Sequence, residues 1–301
     1  MAKSFKDLAT KDNDNILIVD ALNLAFRYKH QKQRNFAEDY LRTVQSLANS
    51  YNSGCVYITA DLGSSSYRKN LLPEYKQNRK DKYAQQTEQE AEDFANFMED
   101  FEETLLLLEE HYPIFRYKGV EADDIAAYLV SQKKSNHTIW LVSSDKDWDL
   151  LVCPTVSRFS YVTRKEVTMD TWYDHYAVDP IDYISFKCLT GDTGDNVPGI
   201  PGVGPKRAAE LIWLHGSALD ICDAMPIEGK YKYIQSLNDF GAKNLMRNYE
   251  LMDLVSYCED AVGSENITDI NERIKEDAQK HGSYTKARNG KEDKRTRSKA
   301  F

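Results

Sequence analysis

The sequence contains little of what zinc sites and disulfide frameworks are built from. Its 301 residues include five cysteines, an odd number without a close pair, and six histidines with no pair at ligand spacing. Zinc prefers clustered cysteine and histidine ligands, and a disulfide framework needs an even set of cysteines. Neither feature is expected here, and reduced, mostly buried thiols are the simpler interpretation.

Long apolar runs are also missing. The densest run, Thr104–Leu108, is flanked by glutamates and falls far short of the roughly 18 apolar residues of a membrane-spanning helix. Residues 1–15 are charged and polar, without the apolar centre of a signal peptide. These absences predict a soluble, cytoplasmic protein with no membrane partner, long enough for about two domains.

Basic residues are outnumbered, 39 against 48 acidic residues, but the two signs are segregated along the chain. Residues 86–110 hold ten acidic and no basic side chains, whereas residues 280–301 hold eight basic and two acidic ones. Local fields rather than the average steer a charged ligand. The net charge of −9 therefore does not exclude a nucleic-acid partner.

The first half of the chain alternates short apolar runs with helical patterns. Such alternation predicts an α/β fold, a parallel sheet with helices on both faces. Any single short run could be a buried helix segment, but five in alternation favour strands. The predicted strands are Ile16–Val19, Val56–Thr59, Ile114–Tyr117, Ile139–Val142 and Val156–Tyr161, and the predicted helices are Ala37–Tyr51, Thr87–His111 and Glu121–Lys133.

After Asp170 the pattern changes to helices joined by loops rich in glycine and proline, with no clear strand. We therefore predict an α/β domain over residues 14–179 and a smaller helical domain over residues 180–270. Residues 1–13 and the basic tail, 280–301, are predicted to be disordered because they offer almost no aliphatic surface to bury.

Acidic residues follow four of the predicted strands. Asp20, Asp61 and Asp145 each come after one, and the segment Glu121-Ala-Asp-Asp124 comes after another. Ligands of open parallel sheets bind at this carboxyl edge. A lone aspartate there often caps the next helix, and Glu121-Ala-Asp-Asp124 is also a favourable first helical turn. A further acidic pair lies in a glycine-rich loop, where Asx turns are the alternative.

Taken together, nine carboxylates would converge on one edge of the sheet, and their repulsion makes a purely structural role costly. Mg²⁺ and Mn²⁺ prefer such oxygen ligands. Two of these ions can activate water and stabilise both oxygens of an in-line displacement at phosphorus, so the pattern indicates phosphodiester hydrolysis. The nine are Asp20, Asp61, Glu121, Asp123, Asp124, Asp145, Asp147, Asp192 and Asp195.

Two basic segments would suit a nucleic acid. Gly199–Arg207 is a glycine-rich hairpin entering a helix, whose amides could bind phosphate, although a plain turn is the alternative. Residues 67–83 carry six basic residues and three tyrosines. That mixture suits phosphate contacts and stacking with an unpaired strand, or it is simply a solvated helix edge.

In order along the chain, these motifs resemble the 5′-nuclease family, the flap endonucleases and 5′–3′ exonucleases. The resemblance is carried by Val120–Ile125, Ser144–Trp148 and Gly191–Lys206, together with the basic stretch Leu72–Arg79, and spans about residues 16–260. It implies a PIN-like (resolvase-like) α/β domain with a helical arch at about 75–110. It also implies a helix–hairpin-type (helix-three-turn-helix) domain that grips duplex DNA.

The same resemblance implies roles for single residues. Asp20, Asp61, Glu121, Asp123 and Asp124 would form one metal site, and Asp145, Asp147, Asp192 and Asp195 the second, with Asp145 and Asp147 counted as catalytic. Lys76 and Arg79 would meet the scissile phosphate. The carbonyls of Pro198, Ile200 and Val203 would hold a monovalent cation, K⁺. DNA contacts would come from Arg27, Tyr75, Lys76, Arg79, Lys187, Gly202, Gly204, Lys206 and Arg207.

The resulting hypothesis is a 5′ nuclease that uses two Mg²⁺ ions, with Mn²⁺ as a substitute, on DNA with 5′ flaps, junctions or free 5′ ends. It would act in replication as a monomer. Any polymerase would be a separate partner, because the chain has no room for a polymerase domain. One alternative is a nuclease for RNA–DNA hybrids. The other is a catalytically silent junction-binding protein, which would need to lack some of the nine carboxylates.

Overall fold

In the computed structural model, which describes residues 15–277 and residue 279, six strands form one sheet. They are β1 (Asn15–Asp20), β2 (Ser53–Thr59), β3 (Ile114–Phe115), β4 (Ile139–Val142), β5 (Val156–Ser160) and β6 (Lys165–Val167), in the order β3-β2-β1-β4-β5-β6. The five predicted strands are confirmed, and their neighbours pair in parallel. The edge strand β6 pairs antiparallel to β5 and is not among the predictions.

The predicted disordered ends, residues 1–13 and 280–301, lie outside the described residues. Within the described part, no helix is long and apolar enough to cross a membrane.

Helices cover both faces of the sheet, as predicted. On β1, Leu17 and Val19 pack into one core while Ile16 and Ile18 pack into another, because successive side chains of a strand point to opposite faces. The helices of the first core are α1 (Ala21–His30), α2 (Ala37–Ser50) and α5 (Glu88–Glu109), and the second core is covered by α6 (Ala122–Lys133). The predicted helices correspond to α2, α5 and α6.

The segment predicted to form an arch contains two helices, α4 (Gln77–Ala84) and α5. No residue of α4 is buried. Helix α5 begins with a capping box between Thr87 and Glu90, and its later turns bury an apolar stripe that includes Phe97 and Phe101. The segment is therefore anchored to the α/β domain through the second half of α5.

The C-terminal part is helical throughout, as its composition predicts. Its helices are α7 (Tyr183–Thr190), α8 (Pro205–His215), α9 (Ala218–Ala224), α10 (Lys232–Met252), α11 (Leu254–Val262) and α12 (residues 264–277). The remaining helix, α3 (Ser66–Leu71), lies in the first half of the chain. Helices α7 to α10 share their own core. In contrast, Leu254, Cys258 and Ile270 pack with α6. The last two helices thus belong to the core of the α/β domain, although the predicted helical domain included α11.

A candidate acidic active site

The carboxyl ends of the central strands bring the predicted acidic residues together. Asp20 is the last residue of β1 and caps α1, Asp61 follows β2, and Asp145 follows β4 and caps a 3-10 helix, Lys146–Leu151. Glu121 is the N-cap of α6, which places Asp123 and Asp124 in that helix's first turn. The parallel pairing of β2, β1 and β4 makes these ends adjacent.

Asp20, Asp61 and Asp123, like Asp145, have no cation at ion-pair distance among the described residues. Asp20 accepts hydrogen bonds from Asn23 N (3.1 Å) and Ser143 Oγ (2.8 Å), and Asp61 accepts one from Ala122 N (2.6 Å). Burial, reinforced by the Asp61 charge, raises the pKa of Asp20 to about 7. Burial likewise raises the pKa of Asp61.

Asp123 shares this environment. Its Oδ1 accepts a hydrogen bond from the indole Nε1 of buried Trp148 (2.6 Å). Burial and the charges of Asp145 and Asp20 hold the pKa of Asp123 well above its ordinary value. Because no positive charge lies directly beside these carboxylates, an added cation would be stabilised there.

Glu121 and Asp195 lie in the opposite situation, surrounded by cations. The Lys76 ammonium donates to Glu121 (2.8 Å) and lies 3.5 Å from Asp195, while the Arg79 guanidinium donates to Asp195 (2.6 Å). Burial acts to raise both carboxyl pKa values, but the neighbouring cations together outweigh it, Lys76 with Arg68 at Glu121 and Lys76 with Arg79 at Asp195. The pKa of each is lowered, so both are ionised.

Lys76 is held in place by its backbone. It adopts a left-handed conformation (φ 56°, ψ 19°), uncommon for a non-glycine residue, and its N–H donates to the carbonyl of Asp195 (2.9 Å). Its side chain is only 14% exposed. The strained turn that starts α4 therefore aims an ammonium group into the acidic cluster.

Arg68 was not among the sequence candidates, yet it is the most tightly bound cation of the site. Its guanidinium donates to both oxygens of Asp124 (2.6 and 2.7 Å), to Glu121 (3.1 Å) and to the carbonyl of Leu251 (2.8 Å). Both Asp124 oxygens thus accept a hydrogen bond from Arg68, which orients the carboxylate and leaves a further acceptor position on each oxygen. Burial raises the pKa of Asp124, with Arg68 opposing.

The second predicted metal group lies where the two domains meet. Asp145 accepts a hydrogen bond from Asp147 N (2.9 Å), and Asp192 accepts from Gly194 N (2.8 Å) and Asp195 N (3.2 Å). Lys187 of α7 donates to Asp147 and lies 3.6 Å from Asp192. Burial, only partly offset by Lys187, raises the pKa of Asp147 to about 6.

Two predicted DNA contacts are buried instead. Tyr75 is 4% exposed, and its hydroxyl lies 3.0 Å from Glu121 and 2.8 Å from Asp195. The Lys187 side chain is 8% exposed, and its ammonium group is paired with the carboxylates of Asp147 and Asp192. As placed here, neither can stack on a base or reach an external phosphate, so both act on the acidic residues. By contrast, Arg27 is half-buried at the surface of α1.

The loop between α7 and α8 is shaped by a close backbone approach. A Cβ on Gly199 would lie 2.0 Å from the carbonyl oxygen of Thr190, and one on Gly191 would lie 2.2 Å from Gly199 N. Only glycine fits at either position. The approach brings Asp192 and Asp195 back toward Lys187, so the glycines of this motif position acidic residues as well as a hairpin.

The three carbonyls predicted to bind a monovalent cation lie in this loop. The Pro198 carbonyl accepts a hydrogen bond from Asn248 Nδ2 (2.7 Å), and the Ile200 carbonyl accepts one from Val203 N (3.0 Å). A carbonyl oxygen has two lone pairs, so these bonds leave one acceptor position on each. No hydrogen bond occupies the Val203 carbonyl in the described part.

The predicted phosphate-binding residues follow directly. Gly202 has a left-handed backbone (φ 80°), and its carbonyl accepts a hydrogen bond from Arg207 (2.5 Å). Gly204 is the N-cap of α8, and Lys206 is exposed beside it. Since Pro205 occupies the first helical position, the free amides begin at Lys206. These residues lie together at one helix start, as the motif predicts.

The donor set fits hard divalent ions in its chemistry, because all nine side chains offer oxygen and none offers sulfur or imidazole nitrogen. Across residues 15–277 and 279, however, no three acidic, histidine or cysteine side chains are arranged to hold a metal ion as they stand. The ammonium groups of Lys76 and Lys187 occupy part of the cluster.

A resolvase-like α/β domain with this acidic edge and a following helical domain define a class of nucleases. Residues 15–178 match the family model described as the N-terminal resolvase-like domain of 5′-3′ exonucleases, and residues 178–276 match their C-terminal SAM fold. The chain therefore belongs to the 5′-3′ exonuclease family, and it is an enzyme of the nuclease type.

Individual relatives agree with the family. The flap endonuclease of Escherichia phage T5 is 44% identical over 255 residues, covering 83% of this chain and 87% of that protein. A structure of the T5 5′-exonuclease with divalent metal ions (zinc) has a TM-score of 0.84 at 43% identity, covering 87% of this chain and 98% of the other. A T5 flap endonuclease complex with DNA and metal ions is equally similar, with a TM-score of 0.84 at 43% identity and coverage of 88% and 99%.

Proposed function

We propose that the chain is a structure-specific 5′ nuclease that hydrolyses phosphodiester bonds of DNA, cutting 5′ flaps and trimming 5′ ends with the help of two Mg²⁺ ions. The observation that carries the proposal is the set of uncompensated carboxylates at Asp20, Asp61 and Asp123. Each accepts hydrogen bonds from neutral donors only, and none has an ion-pair partner in the described part, while burial raises the pKa of all three. The phage T5 relative, a flap endonuclease seen with DNA and metal ions, supports the same assignment.

The metal ions would be held by the two groups of carboxylates described above, with Mn²⁺ as an alternative to Mg²⁺. Asp20, Asp61, Glu121 and Asp123 would form the first group, and Asp145, Asp147, Asp192 and Asp195 the second. Asp124 would belong to the first group as well, oriented by the Arg68 guanidinium that donates to both of its oxygens. When bound, such ions supply an activated water and stabilise the charge that develops on the transferred phosphoryl group.

The chain's own cations would position the substrate. Lys76 lies at the end of the acidic cluster with its ammonium held between Glu121 and Asp195, and the half-exposed Arg79 extends the positive charge outward. We propose that both contact the scissile phosphate, where their charge stabilises the transition state more than the ground state. K⁺ at the α7–α8 loop, held by Pro198, Ile200 and Val203, would stiffen the hairpin against duplex DNA.

The decisive experiment is cleavage of a DNA flap labelled at its 5′ end, with Mg²⁺ or with a chelator. Asp145→Asn should slow cleavage by at least about a hundredfold, because it removes a metal ligand. DNA binding measured without divalent ions should stay within about threefold, since the basic surfaces carry binding. Asp170→Asn, which neutralises an exposed carboxylate outside the cluster, is the matched control.

The outcomes separate the alternatives. Near-normal cleavage by Asp145→Asn would refute the metal assignment. Faster cleavage of an RNA–DNA hybrid than of the flap would favour the hybrid nuclease. DNA binding by the wild-type chain with no cleavage in Mg²⁺ or Mn²⁺ would mean that it is a silent junction-binding protein.

A further inference from the structure

An open groove of about 540 Å³ lies beside the acidic edge, between helices α1 and α2 and the turn that joins β5 to β6. Three arginines line it, Arg27 from α1, Arg42 from α2 and Arg164 from the turn. Neither Tyr161 nor Arg164 belongs to any motif that the sequence analysis singled out. The groove is therefore a basic surface separate from the α7–α8 hairpin.

At one end of the groove, two guanidinium groups share one aromatic ring. The Cζ atom of Arg27 lies 4.5 Å from the ring centroid of Tyr161, and that of Arg164 lies 3.8 Å from the same centroid. Within the described residues, neither arginine has a carboxylate oxygen at ion-pair distance. Arg27 donates a hydrogen bond to the Thr43 hydroxyl (3.3 Å), and its Cζ atom also lies 5.0 Å from the ring centroid of Tyr28.

Such an arrangement carries two neighbouring positive charges without their own counter-ion. Stacking on the ring offsets part of their repulsion, since a guanidinium is attracted to an aromatic face. An anion placed between them would remove the rest. The N–H donors of both groups suit a phosphate, the anion that arginine binds through paired hydrogen bonds.

The acidic side chains near the groove are already engaged. Asp39 accepts hydrogen bonds from Arg42 and from Gln33 (2.5 Å), and Glu166 accepts one from the Tyr51 hydroxyl (2.8 Å). Neither forms an ion pair with Arg27 or Arg164 in the described part, although the charge of Asp39 also interacts with that of Arg27. The groove therefore presents net positive charge to a ligand.

Hydrogen bonds connect this groove to the acidic edge. The hydroxyl of Ser144, next to Asp145, accepts one from Val162 N (3.3 Å) in the β5–β6 turn. The Ser144 N–H donates to Asn23 (2.8 Å), one turn before Arg27 on the same face of α1. The backbone segments that carry Arg27 and Arg164 are thus linked to those that carry Asp20 and Asp145.

We propose that Arg27 and Arg164, stacked on Tyr161, bind a backbone phosphate of the DNA substrate beside the nucleotide whose bond is cut. The proposal rests on the proposed function and adds a contact surface to it. An open groove with charge at one end suits a continuous strand that runs on toward Asp20 and Asp145. A free nucleotide would need an enclosed place for its base.

Arg164→Gln tests the proposal through DNA affinity, measured on a flap substrate in a chelator over a range of salt concentrations. We expect affinity at low salt to fall about three- to tenfold, and the slope of log affinity against log salt to flatten by about 0.9, the value for one lost phosphate contact. Arg164→Lys should keep the wild-type slope but only part of the affinity, because lysine lacks the paired donors of a guanidinium, and Tyr161→Leu should lose affinity while Tyr161→Phe keeps it.

Arg273→Gln is the matched control. The Arg273 guanidinium also lies over an aromatic ring, Phe115 (5.0 Å), but at the β3 edge of the sheet and 3.8 Å from Asp269. It should change neither the affinity nor the slope. Thermal unfolding of each variant shows that the fold is intact.

An Arg164→Gln slope equal to that of wild type would overturn the inference, while flap cleavage by the wild-type chain would leave the proposed function standing. A lost affinity for inorganic phosphate without any loss for DNA would also overturn it, because the site would then hold a free anion. If the wild-type chain neither bound nor cleaved DNA, the proposed function itself would fail.

Discussion

Glu121 and Asp195 differ from Asp20, Asp61 and Asp123 in how their charge is balanced, although all five belong to one acidic edge. The first pair is surrounded by Lys76 and two guanidinium groups, and its pKa values are lowered. The other three receive hydrogen bonds but no direct cation in the described part, and their pKa values are raised. The protein's own cations balance the charge of Glu121 and Asp195, whereas the charge of the other three carboxylates is left for an added ion.

This difference explains how a cluster of nine carboxylates can fold at all. Permanent cations at one end reduce the repulsion that folding must overcome, because a buried unpaired charge is costly. At the other end the cost persists and can be relieved by protonation or by a metal ion. The two parts should therefore respond oppositely when a charge is removed.

The largest effect should come from removing the buried cation. Arg68→Met leaves Asp124 without its main partner and Glu121 with Lys76 as its remaining cation, so we expect the free energy of unfolding to fall by about 3–5 kcal/mol. Urea unfolding of the metal-free protein measures it, with Lys69→Met on the same helix as the control, expected within about 0.5 kcal/mol. A loss below about 1 kcal/mol would contradict the assigned role of Arg68.

Removing an uncompensated carboxylate should instead increase the free energy of unfolding. Folding raises the pKa of Asp20 from 3.8 to about 7. The folded state thus binds the proton more tightly, and the stability linked to this group is present below pH 3.8 and is lost as the pH rises through about 7.

We therefore expect Asp20→Asn to stabilise the metal-free protein at pH 8 by about 1–3 kcal/mol, and by much less at pH 5. Denaturant unfolding at the two pH values checks this. Adding Mg²⁺ should stabilise wild type more than the variant. A variant that is less stable than wild type at pH 8 would show that Asp20 is compensated after all.

The smallest change in stability should follow from Lys76→Met, about 1 kcal/mol, because Glu121 keeps Arg68 and Tyr75. Its effect on cleavage should be larger than its effect on DNA binding, since we place its charge at the scissile phosphate. Lys80→Met, on the exposed face of α4, is the control. Equal losses in cleavage and binding would make Lys76 a binding residue only.

Much of the fold could be predicted because its signals are local. Apolar β-branched runs mark the central strands, and the Thr87 capping box marks the start of α5. The edge strand β6 was missed since its exposed Lys165 and Glu166 give no apolar pattern. The motifs also predicted the acidic residues correctly as one group on the sheet edge, while their individual metal-binding roles stay predictions.

The burial of Tyr75 and Lys187 could not be predicted, nor could the role of Arg68. Each of these side chains bonds to residues far away in the chain: Arg68 to Asp124 and Lys187 to Asp147. In sequence, a lysine, arginine or tyrosine has the same pattern whether it faces solvent or a buried carboxylate. Only packing distinguishes the two cases.

The sequence by itself determined that acidic residues follow the strands of a parallel sheet, because strand periodicity and the direction of parallel strands place those residues on one edge. The tertiary structure decided which of them are neutralised. That choice depends on where α3, α4 and α7 bring Arg68, Lys76 and Lys187. Electrostatic energy depends on distance in space, which sequence separation does not reveal.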